Sequence, residues 1–480
     1  MAIKARLKVM IFLQFFIWGA WLVTLGSYMI NTLHFSGMQV GMVYSAKGIA
    51  ALIMPGLAGI IADRWMKANY LYALCHLLGA LALYCAAQVE QPMLMFWVML
   101  FNAMVYMPTI ALSNAISYFC LEKHGFDTVK DFPPVRVYGT VGFILAMWLV
   151  GFSRIELSNL QLYLASAASL LLSAYSLTLP RCPTNRAAES KSWVSVLGLD
   201  ALVLFRQRRM ALFFLFAMLL GAALQITNTF GNPFLHDLSL NPLYQDSLSV
   251  RYPAVLLSLS QISEVFFILT IPFFLRRYGI KQVMLISMAA WTLRFLFLAY
   301  GTPVGFGFVL LLLSMIVYGC AFDFFNISGA IFVEKEADRR IRASAQGLFM
   351  TMVNGLGAYL GALASGEVVD FFSHDGVKDW QSIWLVFALY TLVLGIVFAL
   401  SFNYRHPPRD GALKRQACGK RCCNCCRSGG LAAPRLATTQ AATRLARSTA
   451  CGRGQPADRP ASKPAQWASP APMVSTTSTG

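Results

Sequence analysis

SMIVYGCAFDFFNISG, residues 314–329, decides the fold. It is the middle of an apolar run over 304–332, and it carries Asp323 at its centre. An apolar run of this length reads as a membrane-crossing helix, because a lipid core about 30 Å thick takes about 20 residues of helix. An aspartate has no business facing acyl chains, so it must turn toward a cavity or a partner. Gly319, Asp323 and Asn326 follow at i, i+4 and i+7, with Phe322 beside them, which places the polar groups on one face.

Eleven further runs of the same kind lie at about 9–30, 38–62, 69–88, 93–117, 135–153, 161–179, 210–230, 252–275, 282–300, 343–366 and 381–403. Lipid gives exposed backbone amides no partner, so each is expected to be helical. Of the 480 residues, 57% are hydrophobic and 12% charged, too little charge to cover a soluble globule. The predicted fold is an all-α membrane protein of twelve helices. Lys4, Arg6 and Lys8 precede the first run as they would in a signal peptide. Its length and the lack of an A-x-A site favour a retained span.

Placing the N-terminus in the cytoplasm assigns 20 Lys/Arg to the cytoplasmic connections before the tail. The opposite loops then hold three, Arg154, Arg251 and Lys378. That asymmetry predicts cytoplasmic N- and C-termini. The longest connection, 180–209, divides the chain into an N-terminal six-helix bundle, 1–179, and a C-terminal one, 210–404. Basic turns at Ala62–Lys67 and Arg276–Lys281 recur at matching places, as in a duplicated carrier. The residues from 405 to 480 carry +11 of the net +18, so the high charge is no nucleic-acid footprint. This Ala/Arg/Ser/Thr/Pro-rich tail cannot bury enough apolar surface to fold alone and is expected to be disordered. It holds six of the 11 cysteines, without zinc-site spacing. The other five are scattered and read as buried thiols.

Polar stripes recur in other spans. Asn102, Tyr106, Thr109 and Ser113 share a face, as do Gln225, Asn228 and Asn232, Gln261 and Glu264, and Gln14, Trp18 and Trp21. Together they are expected to line a wet cavity between the bundles. Amides both donate and accept, and aromatic faces stack, so the lining suits a neutral, planar, hydrogen-bonding solute such as a sugar or nucleobase. Each amide could instead join helices.

Glu264 and Asp323 are the sharpest features. Desolvation favours the protonated carboxyl and a nearby cation opposes it, so a balanced acid can load and release a proton. Arg136 or Arg294 could instead neutralise either acid for good. Arg136 follows Phe132-Pro133-Pro134, read as a helix entry, and could grip a solute oxygen or snorkel to headgroups. Lys47 is a further cation inside a span. No enzyme, metal or cofactor signature is present, and His76 reads as a packed residue.

FLQFFIWGAWLVTLGSYM (12–29), FPPVRVYGTVGF (132–143), LQITNTFGNPFLH (224–236), SMIVYGCAFDFFNISG (314–329) and RASAQG (342–347) closely resemble the bacterial nucleoside:proton symporters of the major facilitator superfamily. Their xanthosine-permease branch is the nearest. The resemblance runs over about 1–405. It implies nucleoside import across the inner membrane by alternating access, with a proton, by a monomer that needs no cofactor. It points to Arg136, Thr140, Phe143, Gln225, Asn228, Gln261 and Phe322 as substrate contacts, and to Glu264 and Asp323 as proton carriers. In the xanthosine branch a lysine at Lys47 would favour a base acidic enough to be partly anionic. The superfamily's basic loop motif is partly kept: Met66 stands where glycine is usual and Arg276 where an acid is usual. The rival readings are a carrier of another polar solute such as a sugar, a drug exporter, and a membrane enzyme acting on lipid-linked substrates.

Overall fold

A computed structural model describes residues 3–180, 182, 199–339, 341–374 and 376–404. The expected tail, with its cysteines, and most of the expected linker lie outside the described residues. Ten helices among the described residues are long and apolar enough to cross a membrane. They are α3 (Gly37–Arg64), α4 (Ala68–Ala86), α5 (Pro92–Lys123), α6 (Thr128–Phe152), α8 (Arg208–Asp237), α9 (Pro253–Tyr278), α10 (Ile280–Tyr300), α11 (Gly305–Glu336), a bent pair α12 (Arg342–Met350) and α13 (Ala358–Phe371), and α14 (Trp380–Ser401). The other two expected spans differ. The sixth is a 17-residue helix, α7 (Leu160–Ser176). The first is α1 (Ile3–Gly19), a stretch of turns, and then α2 (Leu25–Ser27) running into a π-helical turn, Tyr28–Thr32. A second π-helical turn, Thr351–Gly357, joins α12 to α13.

The break in the first span is held open by one hydroxyl. Tyr44 on α3 donates to the Leu22 carbonyl at 2.6 Å and accepts from the Gly26 N–H at 3.0 Å. It thus satisfies backbone groups on both sides of the turn, which lipid could not. Replacing Tyr44 with Phe orphans both groups in the interior. We expect a loss of about 1–3 kcal/mol, read as a lower melting temperature of the detergent-purified protein.

One reading of a helix end is corrected. Pro133 and Pro134 do not mark the entry of α6, which starts at Thr128; both lie inside the helix. Standing sixth and seventh in the helix, each forfeits one i→i−4 bond, and the helix continues through them. The helix α8 starts at Arg208, after a 3₁₀ helix, Leu199–Arg206, in which Ala201 and Leu204 are buried.

Backbones approach closely where side chains are small. A Cβ on Gly19 would sit 2.5 Å from the Phe143 carbonyl oxygen, so α1 and α6 pack nearly backbone to backbone. Gly357 and Gly361, read as a packing motif, abut α8 at Met218, Gly221 and Ala222. Leu81, Trp97, Leu171, Phe266, Leu269 and Leu400 stay exposed on the outside, as a lipid-facing surface requires.

At the end of the bundle away from Ile3 and Ser401, the first six spans are tied to the last six. Glu156, in the α6–α7 connection and 3% exposed, accepts from Asn232 Nδ2 at 2.8 Å and from the Ala254 N–H at 3.2 Å, and lies 3.1 Å from His236 Nε2. Ser27 donates to Asn232 Oδ1 at 2.5 Å. Asp370 accepts from the Gly37 and Met38 N–H groups at 2.5 and 2.8 Å, capping α3 from the other half. At the end near the termini the ion pairs among the described residues stay within one half: Lys4–Asp131, Arg209–Glu336 and Arg342–Glu334. The conformation is therefore latched at one end.

Candidate functional site

Arg136, Thr140 and Phe143 occupy one face of α6, at i, i+4 and i+7. The Arg136 guanidinium lies over the Phe15 ring, 4.1 Å from its centroid, a cation–π contact with α1. Across the interior, α9 presents Gln261 and Glu264, both buried. The charges of Arg136 and Glu264 act on each other, and Glu264 acts in turn on Asp323 of α11. Glu264 is 1% exposed and neither of its oxygens has a hydrogen-bond partner. Asp323 is 4% exposed, with Oδ2 unpartnered. Two buried carboxyls that act on each other, with one guanidinium acting on Glu264, leave a negative charge unbalanced unless a proton is bound.

Tyr318, which the sequence did not single out, belongs to the same cluster. Gln261 hydrogen-bonds to it, and Phe322 stacks on its ring with centroids 6.0 Å apart and planes 5° apart. Such a pair offers a flat apolar wall beside the acids. Arg294 is not the counter-charge of either acid. It donates to the Ser314 carbonyl at 2.9 Å and to Ser260 Oγ at 3.3 Å, and its guanidinium lies 4.5 Å from the Tyr318 centroid. Its work is to hold Tyr318 and join α9, α10 and α11.

On α8, Gln225 donates to Thr229 Oγ1 at 3.1 Å while its Oε1 is unpartnered, and the Asn228 amide nitrogen is unpartnered too. Both are buried. Unsatisfied buried amides are uncommon; here they add an acceptor and a donor for a solute. Thr140 is buried, and Phe143 is fully buried beside Gly19.

Some other stripe members join helices instead. Gln14 donates to Thr109 at 2.8 Å and accepts from Tyr72 at 2.6 Å, and its Oε1 lies 2.8 Å from His76 Nε2. His76 also meets Ser169 at 3.3 Å. This network bolts α1, α4, α5 and α7 together, so Gln14 and Thr109 are structural, and His76 is packed as expected. Asn232 belongs to the end latch. Lys47 stands apart from the acids, its Nζ 5.7 Å from the Trp18 centroid, in the wall of a cavity of about 20 Å³ that Trp21, Tyr44, Asn102 and Tyr106 also line.

A two-halved helical membrane protein with a broken first span, a latch at one end and buried acids in its interior is built as a major facilitator carrier. The chain belongs to the nucleoside H+ symporter family, whose model matches residues 1–407. It is 67% identical over 408 residues to the xanthosine permease of Escherichia coli strain K12, covering 85% of this chain and 98% of that one. It is 55% identical over 406 residues to the nucleoside permease NupG of the same organism, covering 85% and 97%. The crystal structure of nucleoside transporter NupG superposes with a TM-score of 0.81 over 84% of this chain and all of that one. A bacterial homologue of the lysosomal transporter Spinster shares the fold at 13% identity, with a TM-score of 0.63 over 83% and 96%.

Proposed function

We propose that the protein imports nucleosides together with protons across the bacterial inner membrane, as a monomer, with both termini in the cytoplasm. The observation that carries this reading is the pair of buried, interacting carboxyls, Glu264 and Asp323, the first of them in the field of Arg136, in a chain of this family. The relatives named as xanthosine and nucleoside permeases support the substrate class. In this reading the halves 1–179 and 210–404 rock about the buried site. Gln225, Asn228 and Gln261 bond the base or ribose, Phe143 and Phe322 flank the base, and Arg136 and Thr140 hold solute oxygens. Glu264 and Asp323 carry the proton, and loading both proton and solute permits the change of access. The cytoplasmic bias of Lys and Arg supports the orientation. The solute crosses without covalent chemistry.

Purified protein in liposomes should accumulate radiolabelled xanthosine when the outside is made acidic, and only equilibrate it when no proton gradient is imposed. Unlabelled nucleosides should compete and maltose should not, and the solute recovered inside should be unchanged. Equal uptake with and without the gradient would remove proton coupling. Competition by sugars alone would remove the substrate class.

A further inference from the structure

The 3₁₀ helix Leu199–Arg206 ends one residue before α8. Runs of this kind longer than three or four residues are uncommon, because their hydrogen bonds are poorly aligned. An eight-residue run is therefore held by what its faces meet. At three residues per turn, side chains three apart stand in columns. Ala201 and Leu204 form one column and are buried, and α12 packs against this helix. Leu202 and Phe205 form a second column, which runs toward Arg208. Asp200, Val203 and Arg206 form the third. Leu202, Val203 and Phe205 are 45%, 48% and 37% exposed. Three large apolar side chains left open on so short a helix make a patch that needs a partner.

The place of the helix says which partner. Arg208 begins a membrane-crossing segment, and eight residues of 3₁₀ helix extend only about 16 Å. The Phe205 ring lies 5.4 Å from the Phe214 ring, which is well inside α8, so this side of the helix leans along the span. Charge completes the surface. Arg206 and Arg208 are exposed, and no carboxylate among the described residues lies within ion-pair distance of either. Arg209 is already paired with Glu336 at 3.5 Å. Asp200 shares the column of Arg206 but stands two turns away.

We propose that Leu199–Arg206 is an interfacial anchor that binds acidic phospholipid. Leu202, Val203 and Phe205 enter the boundary between headgroups and acyl chains, and Arg206 and Arg208 take the lipid phosphates. A guanidinium grips a phosphate through paired N–H donors. Apolar contact alone does not tell an acidic lipid from a neutral one, so the arginines select the headgroup and the apolar side chains set the depth. The lipid is then a ligand of the connection that leads into the second half. Nothing in this surface depends on which solute is carried.

A nitroxide on Leu202→Cys, with the native cysteines replaced, reports collisions with oxygen, which concentrates in lipid, and with a nickel chelate, which stays in water. In vesicles of phosphatidylcholine mixed with phosphatidylglycerol, the label should favour oxygen. In phosphatidylcholine alone, or at high salt, that preference should fall. Removing the charges by Arg206→Gln and Arg208→Gln should lower the docked-to-free ratio in the mixed vesicles about five-fold for each arginine. A label equally open to water in both vesicles, or a preference that the two substitutions leave intact, overturns the proposal. Reversal of the preference by inorganic phosphate also overturns it, because the site would then take a free anion and not a lipid. If the cysteine-replaced protein does not fold, native mass spectrometry of the otherwise unaltered chain decides. The wild type should retain phosphatidylglycerol over phosphatidylcholine, and the double arginine variant should lose that preference; equal retention by both proteins refutes the assignment. None of these measurements uses a nucleoside, so their failure leaves the carrier reading standing.

Discussion

Neutralising either acid, by Glu264→Gln or Asp323→Asn, should abolish proton-driven accumulation while leaving exchange across the membrane. The magnitude follows from the driving force. One proton crossing 100 mV supplies about 2.3 kcal/mol, enough to sustain about a 50-fold inside-to-outside ratio at one proton per solute. A carrier that no longer binds the proton has no such drive, and the ratio falls to about one. Counterflow needs only that the loaded carrier change access, so trans-loaded label should still enter. The two variants should differ in affinity. Glu264 shares its field with Arg136, so Glu264→Gln removes a negative charge that acts on the buried guanidinium and should also weaken solute binding. Asp323 interacts chiefly with Glu264, and its loss relieves a like-charge contact instead. Retention of accumulation by both variants would remove the proton from these acids.

How much of this was readable beforehand depended on what each residue had for neighbours in the chain. Glu264 and Asp323 were legible because a carboxyl inside a long apolar run has few physical explanations. Periodicity placed Gln14 and Asn102 with equal force, but it gives a face and not what the face meets. Gln14 found Tyr72, His76 and Thr109; Asn102 found a cavity. Tyr318 was passed over because a tyrosine among apolar residues is ordinary, and only its stacking on Phe322 and its bond to Gln261 mark it. The break after Gly19 left no proline behind; the partner that permits it, Tyr44, lies on the next helix. Glu156, His236 and Asp370 were missed for a different reason. They stand at span ends and in connections, where charge is expected, and their partners lie up to 333 residues away.

Those last residues set the second large effect. Removing the Glu156 carboxylate by Glu156→Ala takes away the acceptor for Asn232 and the Ala254 N–H and the partner of His236. It also frees Asn232, which holds Ser27 of the first span. Hydrogen bonds to a charged group are worth about 1.5–3 kcal/mol each. They are coupled here through one side chain, so they do not add fully. A net shift of about 2–4 kcal/mol in the conformational equilibrium changes the ratio of latched to unlatched molecules by about 30- to 1000-fold. Spin labels on cysteines at Leu157 and Leu240, one on each half, with the native cysteines replaced, report the separation of the two halves by pulsed EPR. Both positions are exposed and outside the latch. The distance distribution should move to longer values in Glu156→Ala. It should move less in Glu156→Gln, which keeps an oxygen for the Ala254 N–H but loses the charge. Transport should fall in both, because alternating access needs two states of comparable free energy. An unchanged distribution in Glu156→Ala would mean that the Asp370 cap of α3 and the Trp148–Ser258 bond hold that end shut by themselves.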